Sequence, residues 1–142
     1  MADLFLIARI AGRPVAIASD QVESVVDLGE IVPVPGADAR VRGLAALRSK
    51  VVTVLDTHVV LGLAADTAVQ GRAVITVIDG HHYAIRVDAL EDVTPGTLQP
   101  LAGGITLGPD WRAIGCGFVE IGGEPVLAID LRAMIPGIAA AA

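Results

Sequence analysis

The sequence predicts an all-β protein built from two small, closed or nearly closed barrels related by an internal duplication. The repeat itself is the first observation. Gly12-Arg-Pro-Val-Ala-Ile-Ala-Ser-Asp20-Gln-Val-Glu23-Ser-Val25 returns as Gly80-His-His-Tyr-Ala-Ile-Arg-Val-Asp88-Ala-Leu-Glu91-Asp-Val93, with Gly, Ala, Ile, Asp, Glu and Val coinciding. Further on, Gly43, Val52 and Asp56 return as Gly117, Val126 and Asp130. The second observation is composition: 54% of residues are hydrophobic but only 3% aromatic, so the excess is Val, Ile, Leu and Ala. β-branched side chains suit pleated, packed surfaces. The third is spacing, since short apolar runs alternate with Gly and Pro turns, the pattern of barrels and sandwiches. Closing each barrel removes the unpaired edges that so apolar a chain would otherwise present. Each copy, at about 60 to 70 residues, is near the size where a lone core becomes marginal, so the copies are expected to depend on each other.

Element by element, Leu4 to Ile10 reads as a strand and Ala11 to Pro14 as a turn, with Gly12 free to take positive φ. Val15 to Ala18 returns as the second strand of a hairpin. Asp20 breaks the run, and Val22 to Val26 resumes it. Pro33-Val-Pro-Gly-Ala-Asp38 is a rigid loop, because each proline fixes φ and lacks a ladder donor. Val41 to Leu47 and Val51 to Leu55 make a second hairpin across Arg48-Ser49-Lys50. Asp56 caps a short helix over Thr57 to Leu61, with Gly62 at its C-terminal stop. Residues 64 to 71 read as a linker. The second copy runs Ala73 to Ile78, a turn at Asp79-Gly80, Tyr83 to Val87 and Leu90 to Val93. Thr94 to Asp110 is the longest irregular stretch. The offset between copies is 68 from Gly12 to Gly80 but 74 from Gly43 to Gly117, so the second copy carries an insertion between those anchors. Ile114 to Ile121, Gly122-Gly123 and Val126 to Ile129 complete the set. Asp130 caps a short helix over Leu131 to Ile135, stopped by Pro136-Gly137, and the Ala-rich end is expected to fray. The division into subdomains expected from this reading is 12–63 for the first barrel and 72–135 for the second, with the strand 4–10 joining either.

A net charge of −6 over 142 residues argues against nucleic acid as a partner, which needs a basic face to displace counterions. The longest nearly apolar run, Val51 to Ala65, is interrupted by Thr53, Asp56, Thr57 and His58 and is shorter than the roughly 18 apolar residues of a spanning helix. Asp3 stands where a signal peptide would be basic, and Arg9 cuts its apolar stretch short. With Cys116 as the single cysteine there is neither a disulfide framework nor a thiolate metal site, and the cytoplasm is the expected compartment.

Few residues suggest chemistry. His81 and His82 are adjacent, so on a strand they face opposite sides and cannot chelate one metal. Their position after Asp79-Gly80 suits a solvated turn, and His58 suits surface or packing in its short helix. Cys116, flanked by glycines, is expected to be a small buried hydrophobe. Asp20 and Asp88, like Glu23 and Glu91, are equivalent in the two copies, and turn ends and solvated strand positions account for them. Gly103-Gly104 lacks the Lys-Ser/Thr of a phosphate loop. The expectation is no cofactor, no metal and no catalysis. A small-ligand-binding or enzymatic barrel using Asp20, Asp88 or the histidines is the alternative. One surface feature stands out: Arg40, Arg42, Arg48 and Lys50 cluster in an otherwise acidic chain. Their second-copy equivalents are not basic, since Arg48 aligns with Gly122 and Lys50 with Glu124. Arg48 could orient a recognition surface through its planar fork of donors.

Pro33-Val-Pro-Gly36, Val41-Arg-Gly-Leu-Ala-Ala-Leu-Arg48 and Val51-Val-Thr-Val-Leu-Asp56 together resemble the central signature of CheW-like domains, the chemotaxis coupling proteins. Ala84-Ile-Arg-Val-Asp88-Ala-Leu-Glu-Asp-Val93 and Gly123-Glu-Pro-Val-Leu-Ala-Ile-Asp130-Leu are similar to the family's later segments, and the resemblance covers nearly the whole chain in order. It implies two intertwined five-stranded, SH3-like β-barrels with a hydrophobic core between them. It also implies a non-catalytic adaptor, cytoplasmic and recruited to receptor arrays. Such an adaptor joins the tips of methyl-accepting chemoreceptors to the regulatory domain of a CheA-type histidine kinase. Carried over by motif position, the receptor-binding groove includes Val22, Gly43, Arg48, Leu90 and Val93. Two positions depart from the family pattern and are candidate modulators. Ser49 replaces the usual Gly after the arginine. Ser24 replaces a Glu that pairs with that arginine, leaving Glu23 one residue earlier. On a strand that displacement turns the carboxylate to the other face, so Arg48 is expected to lack the partner.

Overall fold

The computed structural model describes residues 3–64, 71–101 and 107–136. The linker expected over 64–71, the Gly103-Gly104 pair and the Ala-rich end fall wholly or largely outside them. Ten strands form two curled five-stranded sheets. In chain order they are β1 (Asp3–Ile10), β2 (Arg13–Ala18), β3 (Ser24–Leu28), β4 (Val41–Leu47), β5 (Lys50–Leu55), β6 (Gly71–Ile78), β7 (His81–Val87), β8 (Ala89–Gly96), β9 (Gly115–Ile121) and β10 (Glu124–Ile129). Two short helices, α1 (Thr57–Val60) and α2 (Pro109–Ile114), and single 3-10 turns at Ser19–Gln21 and Leu131–Met134 complete the elements among the described residues.

One sheet has the order β8-β1-β2-β10-β9 and the other β3-β6-β7-β5-β4. Each takes a hairpin from one copy and three strands from the other. Residues 12–63 and 72–135 therefore do not each form a barrel: β2 leaves the first span for the sheet of β8, β9 and β10, and the β6–β7 hairpin leaves the second for the sheet of β3, β4 and β5. The strand β1, undecided from sequence, goes with β2. The exchange is held by two parallel ladders, Ile17 opposite Ile129 and Ile85 opposite Leu55, where every other pairing is antiparallel.

The duplication is reproduced in the ladder register. Leu6 opposes Val93 as Val74 opposes Val25, and Val126 opposes Val119 as Val52 opposes Ala45. It is reproduced again in the packing. Phe5, Ile7, Ala16, Val119, Val126 and Ala128 fill one sheet's interior, and their equivalents Ala73, Ile75, Ala84, Ala45, Val52 and Val54 help fill the other's. A third and larger cluster, including Leu6, Ile10, Ile17, Leu55, Val74, Ile78, Ile85 and Ile129, lies between the sheets. Fully burying one such side chain is worth roughly 1.5–3 kcal/mol. The shared core thus supplies the burial that either copy alone would lack.

Each ring is closed beyond its edge strand. Val32, past β3, exchanges hydrogen bonds of 2.8 and 2.9 Å with Leu44, and Gln99, past β8, does the same with Phe118. Closure explains two glycines. A Cβ on Gly43 (φ 153°) would run into the Val32 carbonyl, and one on Gly117 into the Gln99 carbonyl. Asp56 caps α1 by accepting from the Val59 N–H at 3.2 Å, and Asp130 caps its turn through the Arg132 N–H at 3.0 Å. Gly62 (φ 72°) ends α1, its N–H bonding Val59 O while the Leu63 N–H bonds His58 O, the Schellman arrangement. α2 replaces the end of the irregular stretch expected up to Asp110 and the start of the strand expected from Ile114; Gly108, Pro109 at the first helical position and Asp110 in the first turn are its start signals.

Candidate functional site

The groove residues expected from sequence sit at three places. Val22, between the Ser19–Gln21 turn and β3, is half-buried against the core between the sheets, and so is Leu90 on β8. They are equivalent positions of the two copies. Val93 is exposed, at 53%. Its ladder explains how it joins Leu90. The β1–β8 register slips between Ile7, opposite Asp92, and Ala8, opposite Leu90, so Glu91 is an extra residue on β8. A bulge of one residue restores phase. Leu90 and Val93, an odd number apart, stand on one face beside Ala8 and Leu6, both core residues between the sheets. The residue sequence reading missed is Val25, the equivalent of Val93, which pairs with core residue Val74 and is itself exposed. The repeat offset alone identifies it. Gly43 is buried and offers no surface; its contribution is the close approach of the closing segment.

Arg48 lies elsewhere, at the tip of the β4–β5 hairpin with φ 57°, a conformation that costs a non-glycine residue about 1–2 kcal/mol. With Ser49, Lys50, Glu23, Ser24 and His82 it lines a recess of about 490 Å³ whose apolar walls are Val25, Val26, Leu47, Val52 and Ile75. The candidate modulators and Arg48 are thus brought together, apart from Val22, Gly43, Leu90 and Val93. Among the described residues no ion pair of Arg48 is seen, and the expectation that Glu23 faces away from it is not met. Glu23 lines the same recess, and its carboxylate is taken by His82 (3.3 Å) and Lys50 (4.0 Å). His82 is therefore no solvated turn residue. It and His81 begin β7, and its Nε2 also meets Lys50 Nζ at 3.3 Å. The basic cluster does not converge: Arg40 is occupied by Asp38, with Nε and a terminal nitrogen on its two oxygens at 2.9 and 2.8 Å. That guanidinium, helped by the Arg40 backbone N–H, holds the Asp38 carboxyl well below the usual carboxylate range.

The groups considered for catalysis stay apart. Asp88 accepts from Gly12 N–H at 3.2 Å and meets His58 at 3.4 Å, pinning α1 to the β1–β2 turn, while Asp20 lies in the Ser19–Gln21 turn. Among the described residues no three His, Cys, Asp or Glu side chains gather as metal ligands. Cys116 is exposed, not buried. Ala128 opposes Gly117 and Ile129 opposes Gly115, so Cys116 is the unpaired residue of a bulge in an edge strand. Partial burial of its sulfur, with the Asp130 carboxylate adding to it, pushes the thiol pKa up.

Two curled five-stranded sheets that exchange hairpins around a shared core define the class of fold. The CheW-like domain family matches residues 4–138, and the chain belongs to that family of chemotaxis scaffolds. The crystal structure of the scaffolding protein TtCheW from Thermoanaerobacter tengcongensis is similar over 96% of this chain and 94% of that one, with a TM-score of 0.81 and 21% sequence identity, which establishes the shared fold. No curated protein sequence matches. No helix among the described residues is long and apolar enough to cross a membrane.

Proposed function

We propose that this protein is a non-catalytic adaptor that joins the cytoplasmic tips of methyl-accepting chemoreceptors to the regulatory domain of a CheA-type histidine kinase. It works in the cytoplasm at receptor arrays. The observation that carries the reading is the apolar lining of the seam. Val22 and Leu90, with the exposed Val25 and Val93, stand at duplicated positions on the edge strands β3 and β8 or just before them. An amphipathic receptor helix laid there would bury them in the helix-in-groove manner, apolar area supplying most of the affinity. Arg48 adds a charged contact at a separate hairpin, and Gly43 holds the closing segment in place.

Val93→Glu is the decisive variant, because Val93 is exposed whereas Leu90 also supports the core. Receptor-tip capture should fall by about tenfold or more, the apolar contact being replaced by a carboxylate that must be desolvated. Thermal unfolding should stay near wild type. Wild-type capture by the variant would remove the seam as the docking site.

A further inference from the structure

The copies differ in charge at the tips of the equivalent hairpins β4–β5 and β9–β10. Arg48 and Lys50 stand where the second copy has Gly122 and Glu124, and His82 stands where the first has Pro14. The equivalent glutamates are also treated differently. Glu91 is held by Arg9 Nε at 2.5 Å, whereas Glu23 is shared between His82 at 3.3 Å and Lys50 at 4.0 Å. The first is a tight charge-assisted contact and the second a loose one. Arg48 has its whole fork of donors to offer, and Lys50 has donors to spare. All of this lies in a recess of about 490 Å³, within the range of ligand sites, with a cationic rim and apolar walls, on a chain of net charge −6.

We infer that the recess receives a side-chain carboxylate from an acidic segment of a partner protein, and that Glu23 is a resident competitor the incoming carboxylate displaces from Lys50 and His82. The identity of that partner rests on the adaptor reading; the chemistry of the recess does not. A glutamate suits it better than a bare anion, because its methylene stem lies on Val26, Leu47 and Ile75 while its head reaches Arg48 and Lys50. The second copy has no matching cations, so an acidic partner engages one hairpin tip of the two.

The test is a backbone-amide NMR titration of the intact protein with a capped glutamate-repeat peptide, using the glutamine-repeat peptide and inorganic phosphate as controls. The glutamate peptide should shift the amides of Ser24, Ser49, Lys50 and His82. Glu23→Gln should tighten it by roughly two- to five-fold, the range of an exposed ion pair. Lys50→Glu should weaken it by about tenfold through like-charge repulsion, with the rest of the spectrum unchanged. Unmoved amides, equal shifts with phosphate, or no effect of Glu23→Gln would each overturn the inference. Val93→Glu separates the two readings. It should leave the peptide titration intact, so if it also leaves receptor capture intact, the seam fails while the carboxylate recess stands.

Discussion

Arg48 and Cys116 show how much a single residue's backbone setting decides. Arg48 keeps φ 57° at a hairpin tip where glycine is the unstrained choice. Arg48→Gly should therefore raise the unfolding free energy by about 0.5–1 kcal/mol in urea titration, the strain relief being partly offset by the greater freedom of the unfolded glycine. The same variant should weaken binding of an acidic partner; a stability loss would mean that the side chain, not the strain, dominates. Cys116 owes its exposure to a bulge, and burial of its sulfur beside Asp130 raises its pKa. Less thiolate is present at neutral pH than for an ordinary thiol, so iodoacetamide should label it slowly at neutral pH and faster only at higher pH. A rate profile matching free cysteine would contradict this. Neither behaviour was legible in the sequence. Flanking glycines suggested a packed thiol, and no residue type announces a strained Arg.

At the level of strands and loops, the closing bridges matter most. Gly43 lies against the Val32 carbonyl at a φ that side chains rarely adopt. Gly43→Ala should cost about 2 kcal/mol or more of stability through overpacking and backbone strain, seen as a lowered Tm, with receptor capture falling only as the fold does. A neutral effect would show that the closing segment yields easily. The repeat marked this glycine and Gly117 as important without saying why, because the segments that close on them, near Val32 and Gln99, share little sequence. The Glu91 bulge was equally hidden. Strict alternation places Leu90 and Val93 on opposite faces, and only the slipped register unites them. The caps at Asp56 and Asp130 were readable, since an Asp ahead of a short apolar turn has one local use.

For the whole molecule, hydrophobic pattern and repeat were enough to foresee ten strands and two equivalent modules. They could not show which module owns which hairpin. A strand's sequence encodes the face it buries, not the sheet it joins, and β1–β2 would bury the same residues in either. The exchange carries a prediction. Fragments 1–64 and 71–142, produced separately, should each lack a cooperative thermal transition, because each sheet needs strands from both. Mixing them should restore one, followed by circular dichroism. Independent folding of either fragment would contradict the shared core. The traded hairpins also bear on ancestry. A half-length forebear carrying one hairpin and three further strands could meet every pairing seen here by swapping its hairpin with a twin. Joining the twins end to end would leave the contacts untouched while freeing the two tips to diverge, one gathering Arg48 and Lys50 and the other Gly122 and Glu124.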